Sequence, residues 1–379
     1  MIPADAGPCI FLKYMNLVLY RKYRPQTFSE IIGQEHVVQT LTNAISTGMV
    51  SHAYLFAGPR GSGKTTIARI LAKAVNCQDR KNSEPCNKCP SCLEFSQGRS
   101  LDLIEIDAAS HRGIDEVREL RDGIRFVPTK SKYKVYIIDE SHQITKDAAN
   151  ALLKILEEPP AHAILILATT EIHKMIPTIV SRCQRFDFRR LTLPEILKRL
   201  EILSKKENLK IEKSALELIA VNSGGSFRDA ESLLDQVITF SGQEKEIKAE
   251  SIKDLLGIVD TILVGQFVDF LIKKEAPKAI SFLQQTFDKG LDPSEFTKAL
   301  INYLRQVLIT KINPDLSNPL LSGFTREEHQ KLQSQADLLK ESEIQKIINL
   351  FLEAENKMRY SSILQLPLEL ATIESCGVV

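Results

Sequence analysis

Eight consecutive residues, Gly58-Pro59-Arg60-Gly61-Ser62-Gly63-Lys64-Thr65, carry the G-x-x-x-x-G-K-[ST] spacing that wraps a polyphosphate. Glycines let successive backbone N–H groups turn inward, and the helix N-terminus that follows adds a partial positive charge. Lys64 then reaches the terminal phosphates, while the Thr65 hydroxyl can ligate Mg²⁺. Gly58, Pro59, Arg60, Gly61, Ser62, Gly63, Lys64, Thr65 and Thr66 are therefore the expected nucleotide-binding segment. A glycine-rich turn that matched by chance would lack the flanks seen here. The apolar run Tyr54–Ala57 leads in as a strand, and Ile67, Ile70, Leu71 and Ala74 mark the core face of a helix leading out.

Further along, Val135-Tyr136-Ile137-Ile138-Asp139-Glu140 is an apolar strand ending in two carboxylates. Asp139 is placed to hold Mg²⁺ through water and Glu140 to orient and deprotonate an attacking water. Asp-Glu after a strand is weak evidence alone, because acidic residues also begin turns and cap helices. Together with the upstream loop it points to hydrolysis rather than to nucleotide binding alone.

Cys77, Cys86, Cys89 and Cys92 follow C-x8-C-x2-C-x2-C in a polar stretch containing Pro85, Asn87, Lys88 and Pro90. Four thiolates at short spacing suit tetrahedral Zn²⁺, and four protein ligands leave no open position for water, which makes the site structural. An iron–sulfur cluster uses the same ligand set, and unliganded surface thiols are the bland alternative. Nothing else in the sequence suggests redox chemistry, which favours zinc. Cys9, Cys183 and Cys376 stand alone and default to packing.

These residues need a scaffold, and the chain of 379 residues with 43% hydrophobic and 26% charged residues is ample for two or three domains of about 150 residues each. The net charge of +1 gives no global electrostatic reason to bind nucleic acid or anionic lipid, so a polyanion partner must meet a local patch. Lys130, Lys132 and Lys134 are basic but read equally well as a solvated turn. No apolar run approaches the ~20 residues of a membrane-spanning helix, which predicts a cytoplasmic protein with no membrane partner. Residues 1–14 look poorly attached, a disordered or misannotated extension with Met15 as an alternative start.

From residue 50 to 190, strand candidates alternate with helical patterns: Ala53–Ala57, Leu103–Asp107, Val135–Asp139, Ile164–Thr169 and, more weakly, Arg185–Phe188. Their continuous apolarity predicts parallel strands covered on both faces. After Leu191 the pattern turns helical, with Pro194–Lys206, Ser214–Val221 and the stripe Ala230, Leu233, Leu234, Val237 behind Gly224-Gly225. A last helical segment carries the stripes Phe296, Leu300, Tyr303, Leu304, Val307 and Ile344, Ile347, Ile348, Phe351, with loops around Gly290–Pro293 and Asn313–Ser322.

With these motifs in order, the sequence resembles the gamma/tau subunits of the bacterial DNA polymerase III clamp loader, which are AAA+ ATPases. The resemblance is carried by Tyr20-Arg21-Lys22-Tyr23-Arg24-Pro25-Gln26-Thr27-Phe28, Ile32-Gly33-Gln34-Glu35-His36, the phosphate loop and the cysteine cluster just after its helix. It continues through Leu103-Ile104-Glu105-Ile106-Asp107-Ala108-Ala109-Ser110, Asp139-Glu140 and Ala151 to Pro160. Beyond lie Ala168-Thr169-Thr170-Glu171, Ser181-Arg182-Cys183-Gln184 and Gly225-Ser226-Phe227-Arg228-Asp229-Ala230.

The resemblance implies an α/β fold: an AAA+ P-loop NTPase core with a five-stranded parallel sheet over 15–191, including a zinc module at 77–92. A small three-helix lid over 192–255 and an all-α collar for oligomerisation over 256–379 complete it. It also implies roles. Thr169 resembles sensor 1; Arg182 resembles an arginine finger acting on ATP bound to a neighbouring subunit; Arg228 resembles sensor 2, reaching from the lid to its own nucleotide. A guanidinium at the γ-phosphate stabilises developing charge. Arg24-Pro25 and Ile32-Gly33 would line the adenine pocket. The implied cofactors are ATP, Mg²⁺ and Zn²⁺. The implied partners are other loader subunits in a homo- or hetero-pentamer, the sliding clamp, and primer–template DNA gripped by its backbone. Polymerase activity would belong to the holoenzyme and not to this chain.

The sequence departs from the family pattern in three places. Residues 1–14 have no counterpart, Ile363–Leu366 lacks a Pro-Arg and places Pro367 instead, and the chain ends near the end of the collar. The last departure implies a short, gamma-like form and speaks against tethering of helicase and polymerase. Three competing readings remain: another AAA+ DNA motor such as a branch-migration helicase, in which no cysteine cluster is expected; a non-hydrolysing loader subunit similar to delta-prime, whose phosphate loop is typically degraded; and a zinc-stabilised interaction module with an idle nucleotide pocket.

Overall fold

The structure, a computed structural model, describes residues 18–110, 123–242, 247–257, 259–313 and 326–377. The expected 1–14 extension and nearly all of the loop around 313–322 lie outside the described residues. The chain divides after Ala249 into two compact units.

In the first unit, β1 (Ala53–Ala57), β2 (Leu103–Asp107), β3 (Lys134–Asp139), β4 (Ala163–Thr169) and β5 (Gln184–Asp187) form one sheet in the order β2-β3-β4-β1-β5. Every pairing is parallel, with Ala57 opposite Thr169 and Asp187, and Asp107 opposite Asp139, so the carboxyl ends of the strands line up along one edge. β3 and β4 begin one residue before the predicted starts. β5 is shifted back by one, although Phe188 still donates its N–H to Ala57 at 2.7 Å and stays buried.

Strand alternation explains why neighbouring residues are all apolar. Tyr54, Phe56, Val135, Ile137, Ile164 and Ile166 pack with Val37, Leu41 and Ile45 of α1 (Glu35–Thr47) and Ile67, Ile70 and Leu71 of α2 (Lys64–Val75). A short α3 (Pro90–Ser96) follows. Leu55, Tyr136, Ile138, Leu165 and Leu167 point the other way, onto Leu152, Ile155 and Leu156 of α4 (Lys146–Glu157). β2, at the sheet edge, is only half-buried.

Three further helices of the same unit form the lid: α5 (Leu193–Lys206), α6 (Lys213–Asn222) and α7 (Phe227–Ser241). Thr192 and Glu195 close a capping box at the start of α5, and the Ser226 hydroxyl accepts the Asp229 N–H at 3.2 Å to start α7.

The second unit is helical: α8 (Thr261–Ile272), α9 (Ala276–Asp288), α10 (Pro293–Ile312), α11 (Arg326–Leu338), α12 (Glu341–Met358) and α13 (Leu366–Ser375). The predicted stripes meet in its core, where Phe296 stands edge-on to Phe267 and Phe287, and Leu300, Leu304, Ile344 and Phe351 are fully buried. Pro367 falls in the first turn of α13, where the missing N–H has no intrahelical partner to lose. Among the described residues, no helix is long and apolar enough to cross a membrane.

Candidate nucleotide site and cysteine cluster

The phosphate loop leaves the carboxyl end of β1, between β4 and β5, where the chain's order in the sheet reverses; in open parallel sheets this is where a ligand crevice forms. Two glycines there are fixed by close approach. A Cβ on Gly58 would stand 2.4 Å from the Phe188 carbonyl, and one on Gly61, whose φ is +73°, would stand 1.8 Å from the Ser226 hydroxyl. Gln34 holds the loop from behind: its buried amide donates to Arg189 O at 2.8 Å, lies 3.5 Å from Ser62 O, and accepts the Arg189 N–H at 3.1 Å.

Lys64 is buried at the start of α2 with its ammonium donating to the Gly58 and Pro59 carbonyls at 2.8 and 2.9 Å. Burial pulls its pKa down, opposed by the carboxylates of Glu140 and Asp139. The Thr65 hydroxyl donates to Asp139 Oδ2 at 2.7 Å, which places two oxygen ligands of the kind Mg²⁺ takes side by side. Lys64, Thr65 and Asp139 open on a cavity of about 550 Å³, which runs from Arg60–Thr66 to Asp139, Glu140 and, from the lid, Arg228; Gly58 and Pro59 of the expected nucleotide segment are not on its wall.

Glu140 sits in the left-handed region at φ 48°, ψ 42°, a conformation that costs a non-glycine residue about 1 kcal/mol or more. That backbone turns its carboxylate toward β4, where the Thr170 hydroxyl donates to Oε2 at 2.9 Å. His142 is wedged beside it. Nδ1 lies 3.0 Å from Thr169 Oγ1 and 3.5 Å from Glu140 Oε2, and Nε2 lies 3.4 Å from Glu171. Thr169 itself is fully buried, takes the Glu171 N–H at 3.0 Å, and is not on the cavity wall. Gln34 and Thr170 stand in the motifs that carry the resemblance but with no role assigned, and His142 is in none of them. The signals were present in Gln34 of the Ile32-Gly33-Gln34 run, in Asp139-Glu140-Ser141-His142, and in the doubled threonine after β4.

The wall mixes seven cationic side chains with six carboxylates. Arg24 is drawn down by burial and by the charges of Arg69, Arg21 and Arg228, with Glu105 opposing, and Arg69 pairs with Glu105. The guanidinium of Arg228 stacks over Tyr20 at 5.1 Å. Arg199 and Glu231 form a buried pair at 2.7 Å on the same wall, and Arg199 also donates to Tyr23 O at 2.6 Å. Of the residues expected to line an adenine pocket, Arg24, Pro25 and Ile32 line the cavity. Gly33 does not: it turns at φ +72° against Leu191 and Glu195 at the approach to the lid. Arg182 lies off the wall, half-exposed, paired with Glu157 at 2.9 Å and donating to Thr178 O at 3.0 Å. Lys130 pairs with Glu94 at 2.9 Å, Lys132 covers the Tyr133 ring, and Lys134, the first residue of β3, donates to Gly123 O at 2.9 Å, so all three have local partners.

In the cysteine segment the four sulfur atoms of Cys77, Cys86, Cys89 and Cys92 lie within 4.8 Å of one another, Cys86 and Cys92 at 4.0 Å. Tetrahedral ligands at Zn–S distances of about 2.3 Å stand about 3.8 Å apart, so the set is of the right size. Backbone N–H groups of Cys86, Cys89 and Cys92 already point at the sulfurs of Cys77, Cys86 and Cys89 at 3.3, 3.3 and 3.4 Å. The Lys88 N–H, with that of Cys89 and against burial, holds the Cys86 thiol down at about 6, whereas burial pushes Cys92 up. Donors aimed at sulfur favour thiolates, and the set fits a divalent ion. Cys183 and Cys376 are separate, the first pushed up to about 12 by burial.

Family models match in three consecutive stretches: DNA polymerase III, delta subunit, over residues 33–192; DNA polymerase III clamp loader subunit, ATPase lid domain, over 195–243; and DNA polymerase III subunits gamma and tau domain III, over 247–378. Bacillus subtilis DNA polymerase III subunit tau is 42% identical over 358 residues, 94% of this chain and 63% of that protein. Escherichia coli subunit tau is 39% identical over 78% of this chain and 46% of its own length, so the chain spans about half to two thirds of these relatives. Subunit gamma of Buchnera aphidicola from Acyrthosiphon pisum is 35% identical over 96% of this chain and 99% of its own. Among solved structures, the Thermotoga maritima RuvB Holliday junction branch migration motor aligns with a TM-score of 0.48 and 20% identity over 66% of this chain and 79% of that one. The chain belongs to the DNA polymerase III gamma/tau subunit family of AAA+ ATPases.

Proposed function

We propose that this chain is the ATP-hydrolysing motor of a bacterial replicative clamp loader, using ATP binding and hydrolysis to open the sliding clamp and load it on primed DNA. One observation carries the reading: Lys64, Thr65, Asp139 and Glu140 are all intact and open on one cavity that Arg228 enters from the lid. A non-hydrolysing subunit would not need that set.

Lys64 and the N–H groups of residues 60–65 bind the β- and γ-phosphates. Thr65 and Asp139 would hold Mg²⁺, which neutralises charge on the phosphate oxygens when bound. Glu140, fixed by Thr170, takes a proton from the water that attacks the γ-phosphorus, giving ADP and phosphate from ATP and water. Thr169 acts on Glu140 and the lytic water through His142, and Arg228 contacts the phosphates of its own subunit. Arg182, off its own cavity wall, acts on the neighbour's ATP. Core, lid and collar correspond to 15–191, 192–255 and 256–379. The cysteine cluster holds zinc structurally, the collar assembles subunits in a pentamer, and DNA is held by its backbone from several copies in the cytoplasm.

The test is ATP turnover by the chain assembled with loader subunits, clamp and primed DNA, for the wild type and Lys64→Ala. Stimulation by clamp and DNA in the wild type alone is expected, and its absence sinks the loader reading. Arg182→Ala should keep nucleotide affinity and lose about 10³-fold or more in assembled turnover. Loss of ATP binding by the isolated chain would count against action in trans.

A further inference from the structure

Lys73 lies in the last turn of α2, the helix that begins at Lys64, and is only 4% exposed. Other buried cations here face acids: Arg199 pairs with Glu231, and Lys64 lies near Asp139 and Glu140. Lys73 has only neutral acceptors, Gln26 Oε1 at 2.8 Å and Ser96 Oγ at 3.4 Å. Taking an ammonium out of water costs several kcal/mol, and neutral oxygens return only part of it. The carbonyl end of a helix contributes about 0.3–1 kcal/mol to a nearby cation, well short of that.

The remaining negative charge lies in the cysteine cluster and in Glu30. Ser96 ends α3, which carries Cys92, and Cys77 follows α2 directly. Burial draws the Lys73 pKa down, and Cys92, Glu30, Cys77 and Cys86 push it back. A divalent ion held by four thiolates leaves a net charge of −2, larger than the single charge that Glu30 offers this amine.

We propose that Lys73 is the charge-balancing residue of the metal cluster, its ammonium offsetting the excess negative charge of four thiolates around a divalent ion and tying that cluster to the end of the phosphate-loop helix. Without the ion the doubly negative cluster that this ammonium balances is not assembled. Metal loss then loosens the far end of the helix whose other end binds phosphate. The inference rests on the reading that the cysteines hold a metal.

The experiment uses the full chain and Zn²⁺ alone, competed against a chromophoric chelator, for the wild type, Lys73→Met and Lys73→Gln. Removing partners around a metal's ligands typically lowers affinity about 10- to 100-fold, and that loss is expected in both variants. Chemical unfolding of loaded and stripped protein separates charge from packing. Lys73→Met should be less stable than the wild type when loaded and more stable when stripped. Equal zinc affinity in wild type and variants, or the same stability deficit in both metal states, overturns the proposal. A wild type that binds no divalent ion overturns the metal reading instead. Should Lys73→Met fail to fold, Lys73→Gln, which keeps a donor for Gln26 and Ser96, carries the comparison.

Discussion

Gly61→Ala should detach the lid from the phosphate loop, and the structure says how far and at what cost. The added Cβ would lie 1.8 Å from Ser226 Oγ, 2.8 Å from its Cβ and 3.4 Å from its Cα, so the start of α7 must retreat by at least the shortfall to ordinary contact. Three terms are at stake. Alanine in the left-handed region costs about 1–2 kcal/mol. The Phe227 N–H bond to Gly61 O, 3.2 Å, is worth about 0.5–1.5 kcal/mol. The Ser226 cap on α7 is worth about 1 kcal/mol. A total near 3 kcal/mol, if it falls on the closed lid, corresponds to roughly 100-fold weaker ATP binding at about 1.4 kcal/mol per tenfold. The assay is a double-mutant cycle with Ser226→Gly, read by fluorescent-nucleotide binding and by denaturant unfolding. Ser226→Gly alone should cost only a few tenths of a kcal/mol, since glycine is nearly as good a cap. The double variant removes the two atoms closest to the new Cβ and should recover all but the φ strain. Additive effects in the cycle, or an unchanged ATP affinity in Gly61→Ala, would refute the idea that the loop and α7 are fitted to each other through this glycine.

Three further outcomes follow from the same geometry. Thr170→Val removes the hydroxyl that fixes Glu140 and should lower turnover about tenfold or more, a hydrogen bond to a charged group being worth about 1.5–3 kcal/mol, with ATP affinity unchanged; a matching fall in affinity would show that Thr170 only supports the fold. Arg189 grips both oxygens of Glu195 at 2.9 and 2.6 Å and, against burial, holds its carboxyl down at about 2 from an ordinary 4.5. A depressed carboxyl stabilises the fold above its unfolded pKa, so this contribution should be complete above about pH 4.5 and disappear as the pH falls toward 2. Acid unfolding of Glu195→Gln should lack that part of the slope; a profile identical to the wild type's would contradict the assignment. Asp102, 2% exposed, accepts the N–H groups of Thr129, Lys130 and Ser131 at 2.7, 3.0 and 2.9 Å, and Asp102→Ala should lower unfolding stability by about 1–3 kcal/mol or more by orphaning them, with an effect under 0.5 kcal/mol refuting this.

The phosphate loop and the central strands were legible because their signals are local: a fixed glycine spacing, and apolar runs that both faces of the sheet must bury. β5 was harder. Gln184, Arg185 and Asp187 are exposed and only Phe186 is buried, so one side of an edge strand reads like a turn until β1 is seen beside it. The closure between loop, hinge and lid left little trace at all. Gln34 bonds across 155 residues to Arg189, and the reason for Gly33 is the packing of Leu191 and Glu195 against it. No window along the sequence brings such residues together, because tertiary packing sets their contacts and local preference does not.

The same limit explains the polar residues around Glu140. Motif order singles out Thr169 as the threonine that ends β4, but successive residues of a strand face opposite ways. Thr169 turns inward, onto His142 and the Glu171 N–H, while Thr170 turns to Glu140. Which of two adjacent threonines touches the carboxylate depends on where β4 ends relative to β3, a register set by Ile138 standing opposite Leu167. The left-handed backbone at Glu140 then brings its carboxylate back over that edge. A one-residue slip of β4 would exchange the two hydroxyls, leaving the motif intact and its chemistry rearranged.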